Sequence, residues 1–157
     1  MCGGIGFKIN EIPERELKKR FTQEEIEKLK RDGEVQLFFW SKEPILPIEI
    51  DEQIKLIDWG NRDKQMKLPL TGWAKQESLA EGKWNYLKPQ EVKIRANRGC
   101  ENKVWFDIPS GSLTGIMIEL KKPDGKIDQR VYMVTKPADN DYLRLTNHNR
   151  QPIEYKQ

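Results

Sequence analysis

Cys2 stands directly after the initiator methionine, so its thiol can share a chain end with the α-amine. Methionine aminopeptidases tolerate a side chain this small, and the mature chain would then begin with a free aminothiol. The amine titrates near ~8 and the thiol near ~8.5, so we expect both to be partly nucleophilic at neutral pH. Such a terminus captures an aldehyde twice, first as a Schiff base and then as a thiazolidine ring. The plainer interpretation of Cys2 is a residue at a frayed chain end.

His148 is the single histidine of the chain and lies beside Arg150 in the segment Thr146-Asn147-His148-Asn149-Arg150-Gln151-Pro152. Its ring could donate or accept a proton, or hold a sugar oxygen or a phosphate. Arg150 could pair bidentately with a phosphate or with a buried carboxylate. Taken alone, this segment favours a polar surface turn.

Other positions offer groups for the same site. Asp107 ends an apolar run, where partial burial would raise its pKa and suit it to acid–base work, although a turn or cap residue is equally compatible. Lys75 and Glu77 would lie on one side of an extended segment, and a surface ion pair is their alternative. An exposed tryptophan could stack on an unpaired base, and the candidates are Trp40, Trp59, Trp73, Trp84 and Trp105.

The elements that would position these residues follow from apolar periodicity and turn residues. Residues 14–31 are predicted to be helical in one or two pieces, with Thr22 and Glu25 as a capping box and Gly33 as the stop. Pro47 indicates an edge strand or a bulge. The predicted strands are 35–40, 45–50, 54–59, 104–108, 113–121 and 130–135, the last two joined around Pro123-Asp124-Gly125, and the further predicted helices are 77–87 and 139–145.

Length and composition limit the classes of protein. The chain has 157 residues, 36% of them hydrophobic and 34% charged, with a net charge of +3. We expect one α+β domain over residues 1–157, with a curved, mainly antiparallel β-sheet or open barrel and a few flanking helices. No run is long enough to cross a membrane and no secretory signal is readable, which predicts a cytoplasmic protein. Two cysteines and one histidine predict neither disulfides nor a zinc site.

The motifs together resemble the SOS-response-associated peptidase (SRAP) family in their order and spacing. The family begins Met-Cys-Gly, as here, and continues with a proline-containing strand and a Trp-Gly pair. It then carries an Asn-Ala-Arg-x-Glu-Thr segment, an aromatic-Glu-Trp motif and a His-acidic-Arg-x-Pro motif. The counterparts here are Pro44-Ile45-Leu46-Pro47, Trp59-Gly60, Trp73-Ala74-Lys75-Gln76-Glu77-Ser78, Val104-Trp105-Phe106-Asp107 and His148-Asn149-Arg150-Gln151-Pro152.

The resemblance implies a function in the DNA damage response. Cys2 would bond covalently to abasic sites in single-stranded DNA, and His148 would position or protonate the sugar oxygen. Asp107 would replace the family's glutamate in the proton transfers, with slower chemistry because its carboxylate reaches less far. The DNA-binding residues would be Lys75, Glu77, Arg150 and Trp73. The resemblance also implies a self-processing peptidase or lyase activity, and we expect a monomer that uses no cofactor and no metal.

Two other functions share parts of this pattern. N-terminal-nucleophile glutamine amidotransferases also start Met-Cys-Gly, and the run Cys2-Gly3-Gly4-Ile5-Gly6 resembles their opening. A non-catalytic single-stranded-DNA-binding relic of the SRAP fold would account for the missing asparagine and the shortened carboxylate. Adduct formation, salt-sensitive binding and glutaminase activity distinguish the three.

Overall fold

The computed structural model describes residues 2–156, which form four α-helices and eleven strands in two sheets. The helices are α1 (Glu14–Arg20), α2 (Gln23–Asp32), α3 (Gln76–Ala80) and α4 (Asn140–Thr146). The strands are β1 (Gly4–Lys8), β2 (Glu34–Phe38), β3 (Ile45–Ile50), β4 (Gln53–Trp59), β5 (Trp73–Lys75), β6 (Gln90–Arg95), β7 (Arg98–Glu101), β8 (Val104–Asp107), β9 (Ser112–Lys121), β10 (Ile127–Pro137) and β11 (Arg150–Pro152).

The larger sheet closes on itself. Its order is β11-β10-β4-β3-β6-β9, and β9 also pairs with β10, so five strands form a ring. The pairings are antiparallel except that β10 runs parallel to β4 and to β5. The prediction of an α+β fold with a curved, mainly antiparallel sheet and a few flanking helices is confirmed, with the barrel closed rather than open.

The smaller sheet carries the N-terminus in its interior. Its order is β2-β1-β7-β8, with every pairing antiparallel. Ile5 and Phe7 of β1 are fully buried, because alternate residues of this strand face the main core. The sequence predicts no strand at residues 4–8, since glycine has a low strand propensity, but pairing on both sides and the burial of two apolar residues override it.

The first two helices follow the sequence closely. The Thr22 side chain accepts from the Glu25 N–H while the Glu25 carboxylate accepts from the Thr22 N–H, so the predicted capping box is confirmed. Gly33 ends α2 in the left-handed region with φ 79°. None of the helices in residues 2–156 has the length and apolar character needed to span a bilayer.

Two predicted elements differ from the structure. The helix predicted over 77–87 is only α3, because Gly82 adopts φ 78° and a 3₁₀ turn, Asn85–Leu87, follows. Pro47 does not mark an edge strand, since β3 lies between β4 and β6. Pro47 is tolerated because the pairing of β3 with β6 begins at Ile48 and includes only Ile48 and Glu49 of β3. No ladder hydrogen bond to β6 is therefore required of the proline nitrogen.

Candidate active site

Three hydrogen bonds hold Cys2 and Gly3 in place. The Gly3 N–H donates to the Cys100 carbonyl at 3.0 Å, and the Phe39 N–H donates to the Gly3 carbonyl at 3.1 Å. The Trp73 indole N–H donates to the Cys2 carbonyl at 3.0 Å. The interpretation of Cys2 as part of a frayed end is therefore wrong, because the segment is anchored to the strand on either side of it and to β5.

The Cys2 thiol is fully buried and donates to the Gly4 carbonyl at 3.1 Å. Burial raises the pKa of this thiol to about 12, because the thiolate would lose its hydration, and the nearby Glu101 charge acts in the same direction. This direction is opposite to the expectation of a thiol that titrates near its ordinary value in the mature chain. At neutral pH the sulfur carries its proton, so a reaction at Cys2 needs a base.

A carboxylate lies near this thiol, and an imidazole lies near that carboxylate. Glu101 is the last residue of β7 and is 7% exposed. Its Oε1 is 3.8 Å from His148 Nδ1, and Nδ1 accepts the Arg150 N–H at 3.1 Å. Because Nδ1 is an acceptor in this arrangement, the neutral ring carries its proton on Nε2. Cys2, Glu101 and His148 thus form one cluster, here called the Cys2 cluster, although they come from distant parts of the chain.

A two-residue turn explains how Glu101 and His148 meet. Asn102 and Lys103 have φ values of 49° and 66°, which bring β7 directly back into β8 and leave Glu101 at the hairpin end. The Asn102 side-chain amide donates to the Thr146 carbonyl at 2.8 Å. This bond joins the turn to the end of α4, from which the chain continues to His148.

Asp107 lies at the opposite end of the same hairpin. It is exposed, and its register partner is Arg98, which in turn is opposite Gly6 of β1. That places Asp107 about four residues from Cys2 along the strand direction, or roughly 13 Å at ~3.3 Å per residue. The structure does not bring Asp107 to Cys2, because the turn at 102–103 directs β8 away from it, and Glu101 occupies the place expected for Asp107.

Arg150 is engaged by protein groups. Its guanidinium binds the Glu77 carboxylate at 2.7 and 3.0 Å and the Thr135 carbonyl at 2.9 Å, and its side chain is 13% exposed. The Arg150 hydrogen bonds lower the pKa of Glu77 to about 2. The sequence predicts a phosphate or a buried carboxylate as the partner of Arg150. The structure shows a carboxylate, that of Glu77, but it is about half exposed. This pair fastens β11 and the His148 segment to α3.

The remaining expected DNA-binding residues lie on β5 or next to it. Trp73 is half-buried, and its ring packs against Phe39 and Trp59 at centroid distances of 4.8 and 5.9 Å. It anchors the Cys2 carbonyl and is not an open stacking face. Lys75 is exposed at the end of β5. Lys75 and Glu77 do not share an extended segment, because α3 begins at Gln76.

Comparisons with known proteins show the fold alone. No family model and no curated protein matches this chain. A crystal structure of a protein from Bacteroides thetaiotaomicron aligns with a TM-score of 0.60 and 15% identity, over 78% of this chain and 62% of that one. A crystal structure of a protein from Bordetella bronchiseptica aligns with a TM-score of 0.58 and 14% identity, over 99% of this chain and 84% of that one. This chain thus spans less than two thirds of the Bacteroides protein.

Sequence reasoning missed Glu101. Glu101 directly follows Cys100 and precedes an Asn-Lys pair, and asparagine in the left-handed region is a frequent residue of two-residue hairpin turns. Recognition of that turn would have ended β7 at Glu101 and drawn attention to its carboxylate.

Proposed function

We propose that the mature chain forms a covalent adduct with the aldehyde of an abasic site in single-stranded DNA, through the α-amine and thiol of Cys2. The observation that carries the proposal is the Cys2 cluster, in which an anchored cysteine at position 2 lies beside Glu101 and His148. Cytoplasmic location and a monomeric state belong to the same proposal.

The bonds change in a balanced order. The α-amine nitrogen adds to the aldehyde carbon, its proton moves to the oxygen, and a second proton lets that oxygen leave as water, which gives a protonated imine. The Cys2 sulfur then adds to the imine carbon while the C=N electron pair returns to nitrogen. The thiol proton replaces the proton consumed in the loss of water. One aldehyde and one aminothiol give one thiazolidine and one water, with no oxidant or reductant.

The buried thiol explains why the cluster needs its acid and base. Because burial raises the pKa of the Cys2 thiol, we expect the thiol to carry its proton when the imine forms. A nearby acceptor must take that proton as the C–S bond forms, and the Glu101 carboxylate is suited to this role. His148, within 3.8 Å of Glu101, can exchange the proton with solvent or deliver one to the departing oxygen.

An exposed indole next to the N-terminal segment suits a strand with unpaired bases. Trp40 is 66% exposed and stacks on Phe38 at a centroid distance of 4.6 Å. A Cβ placed on Gly3 would lie 2.8 Å from the Trp40 ring, so this indole reaches the residue next to Cys2. An abasic site has no base of its own, and recognition must use neighbouring bases and backbone charge. Lys75 supplies an exposed cation near Trp73.

A denaturing gel tests the proposal. The N-terminus is first checked by mass spectrometry for loss of Met1, and the protein is then incubated with single-stranded DNA that contains one abasic site. We expect a heat-stable adduct for the wild type and for Cys100→Ala, and none for Cys2→Ala. Undamaged DNA of the same sequence should give no adduct. Absence of a wild-type adduct from chains that begin at Cys2 would overturn the proposal.

The burial of the thiol also favours a second function, non-catalytic binding of single-stranded DNA. A protonated and enclosed sulfur is typical of a structural cysteine. This alternative predicts binding of undamaged single-stranded DNA that weakens with salt and is unchanged in Cys2→Ala.

A further inference from the structure

The Tyr142 side chain is a buried polar group that the fold does not satisfy. The residue is 9% exposed, and among the described residues its hydroxyl has no hydrogen-bond partner within 3.5 Å. The nearby Thr146 hydroxyl donates instead to the Tyr142 backbone carbonyl. Buried hydroxyls are nearly always paired, because an unpaired one loses its hydration without compensation. Tyr132 shows the ordinary arrangement in the same chain, since its buried hydroxyl donates to the Pro69 carbonyl at 3.0 Å.

The position of this hydroxyl is fixed from two sides. The Tyr142 ring packs edge-on against Phe106, with centroids 5.3 Å apart and an interplanar angle of 78°. Its backbone carbonyl accepts from the Thr146 hydroxyl at 2.8 Å within α4. Phe106 is opposite Gly99 of β7, two residues before Glu101, so the Tyr142 ring lies beside the hairpin that carries this carboxylate. α4 therefore places an unpaired hydroxyl next to the hairpin that supplies Glu101 to the Cys2 cluster.

Besides the His148 ring, the cluster offers few donors for a substrate oxygen. The Glu101 carboxylate is an acceptor when ionised, and the Cys2 thiol donates to the Gly4 carbonyl. An aldehyde oxygen gains negative character as the amine adds to its carbon, and a fixed donor that faces this atom lowers the barrier. Burial also raises the pKa of Tyr142 above its usual range, so its proton stays in place.

We propose that the Tyr142 hydroxyl is a catalytic group that donates a hydrogen bond to the aldehyde oxygen at Cys2 and holds it until it leaves as water. This inference rests on the proposed function for the aminothiol reaction, but it extends to any small aldehyde that enters the site. The hydroxyl is unpaired in the free protein because its partner is the substrate oxygen.

The test compares Tyr142→Phe with Tyr132→Phe as a matched control. Both substitutions keep the ring and remove one buried hydroxyl. Chains that begin at Cys2 are allowed to react with acetaldehyde and, separately, with single-stranded DNA that contains an abasic site. Mass spectrometry measures the gain of one aldehyde less one water at the N-terminal peptide, and thermal unfolding is recorded for each variant. We expect Tyr142→Phe to react at least tenfold more slowly with both aldehydes while its unfolding temperature is equal to or above that of the wild type.

Tyr132→Phe should show the reverse pattern, with wild-type reaction rates and a lower unfolding temperature. Equal rates for Tyr142→Phe and the wild type would overturn the inference, and so would a fall in the unfolding temperature of Tyr142→Phe that matches the control. A wild type that reacts with acetaldehyde but not with abasic DNA would overturn the proposed DNA function. The role of Tyr142 would then be decided by the rates at which Tyr142→Phe and the wild type react with acetaldehyde. A wild type that reacts with neither would overturn both.

Discussion

Alkylation of Cys2 is expected to be about a thousandfold slower in the folded chain than in the unfolded chain. Burial raises the pKa of this thiol from 9.0 to about 12, and the thiolate is the species that reacts. Each pKa unit lowers the thiolate fraction about tenfold when the pH is below both values, so the difference corresponds to a factor of roughly a thousand. Steric enclosure of the sulfur acts in the same direction.

The assay uses Cys100→Ala in the chain that retains Met1, so that Cys2 is the only thiol. Iodoacetamide modification is followed by mass spectrometry in buffer and in denaturant at one pH. Cys2→Ala reports on Cys100 and serves as the comparison. Modification of folded Cys2 within about tenfold of the unfolded rate would refute the reasoning, because the sulfur would then be neither enclosed nor held in its protonated form.

Two further predictions concern pH and backbone conformation. The pKa of Glu77 is lowered from 4.5 to about 2, chiefly by hydrogen bonds from Arg150, so its contribution to stability is complete above pH 4.5 and is lost as the pH falls towards 2. Over this range the free energy of unfolding should therefore fall less steeply with pH for Glu77→Gln than for the wild type. Parallel pH curves for the two proteins would contradict the assignment. Gly60→Ala should destabilise the protein by more than Gly33→Ala in denaturant titrations, because a Cβ at Gly60 would lie 2.2 Å from the Thr71 carbonyl oxygen whereas one at Gly33 meets nothing within 4 Å. Both glycines have a positive φ, so Gly33→Ala carries the conformational cost of roughly 1–2 kcal/mol without the clash. Equal losses for the two variants would argue against a clash at Gly60.

Local signals were sufficient for several elements of the fold. The Thr22 and Glu25 capping box and the glycine at position 33 locate α2 from neighbouring residues alone. The turn at Pro123-Asp124-Gly125 joins β9 to β10 as predicted. β1 could not be predicted in this way, because its stability comes from pairing with β2 and β7, which are far along the chain.

Two of the three residues of the candidate site were predictable from the sequence, and the third was not. Cys2 and His148 stand out by residue type and position, and the structure places them in one cluster. The choice of carboxylate depends on where the hairpin turns. A turn at Asn102 and Lys103 leaves Glu101 beside Cys2 and carries Asp107 away, and spacing in the sequence gives no information on that register.

The most direct test of the Cys2 cluster compares Glu101→Gln with Asp107→Asn in the reaction with single-stranded DNA that contains an abasic site. Rates of adduct formation are measured on chains that begin at Cys2, after thermal unfolding has shown that both variants are folded. General acid–base groups typically contribute roughly a hundredfold to ten-thousandfold, so we expect a loss of that size for Glu101→Gln and a near-wild-type rate for Asp107→Asn. A large loss for Asp107→Asn with no loss for Glu101→Gln would contradict the assignment of Glu101 to the active site.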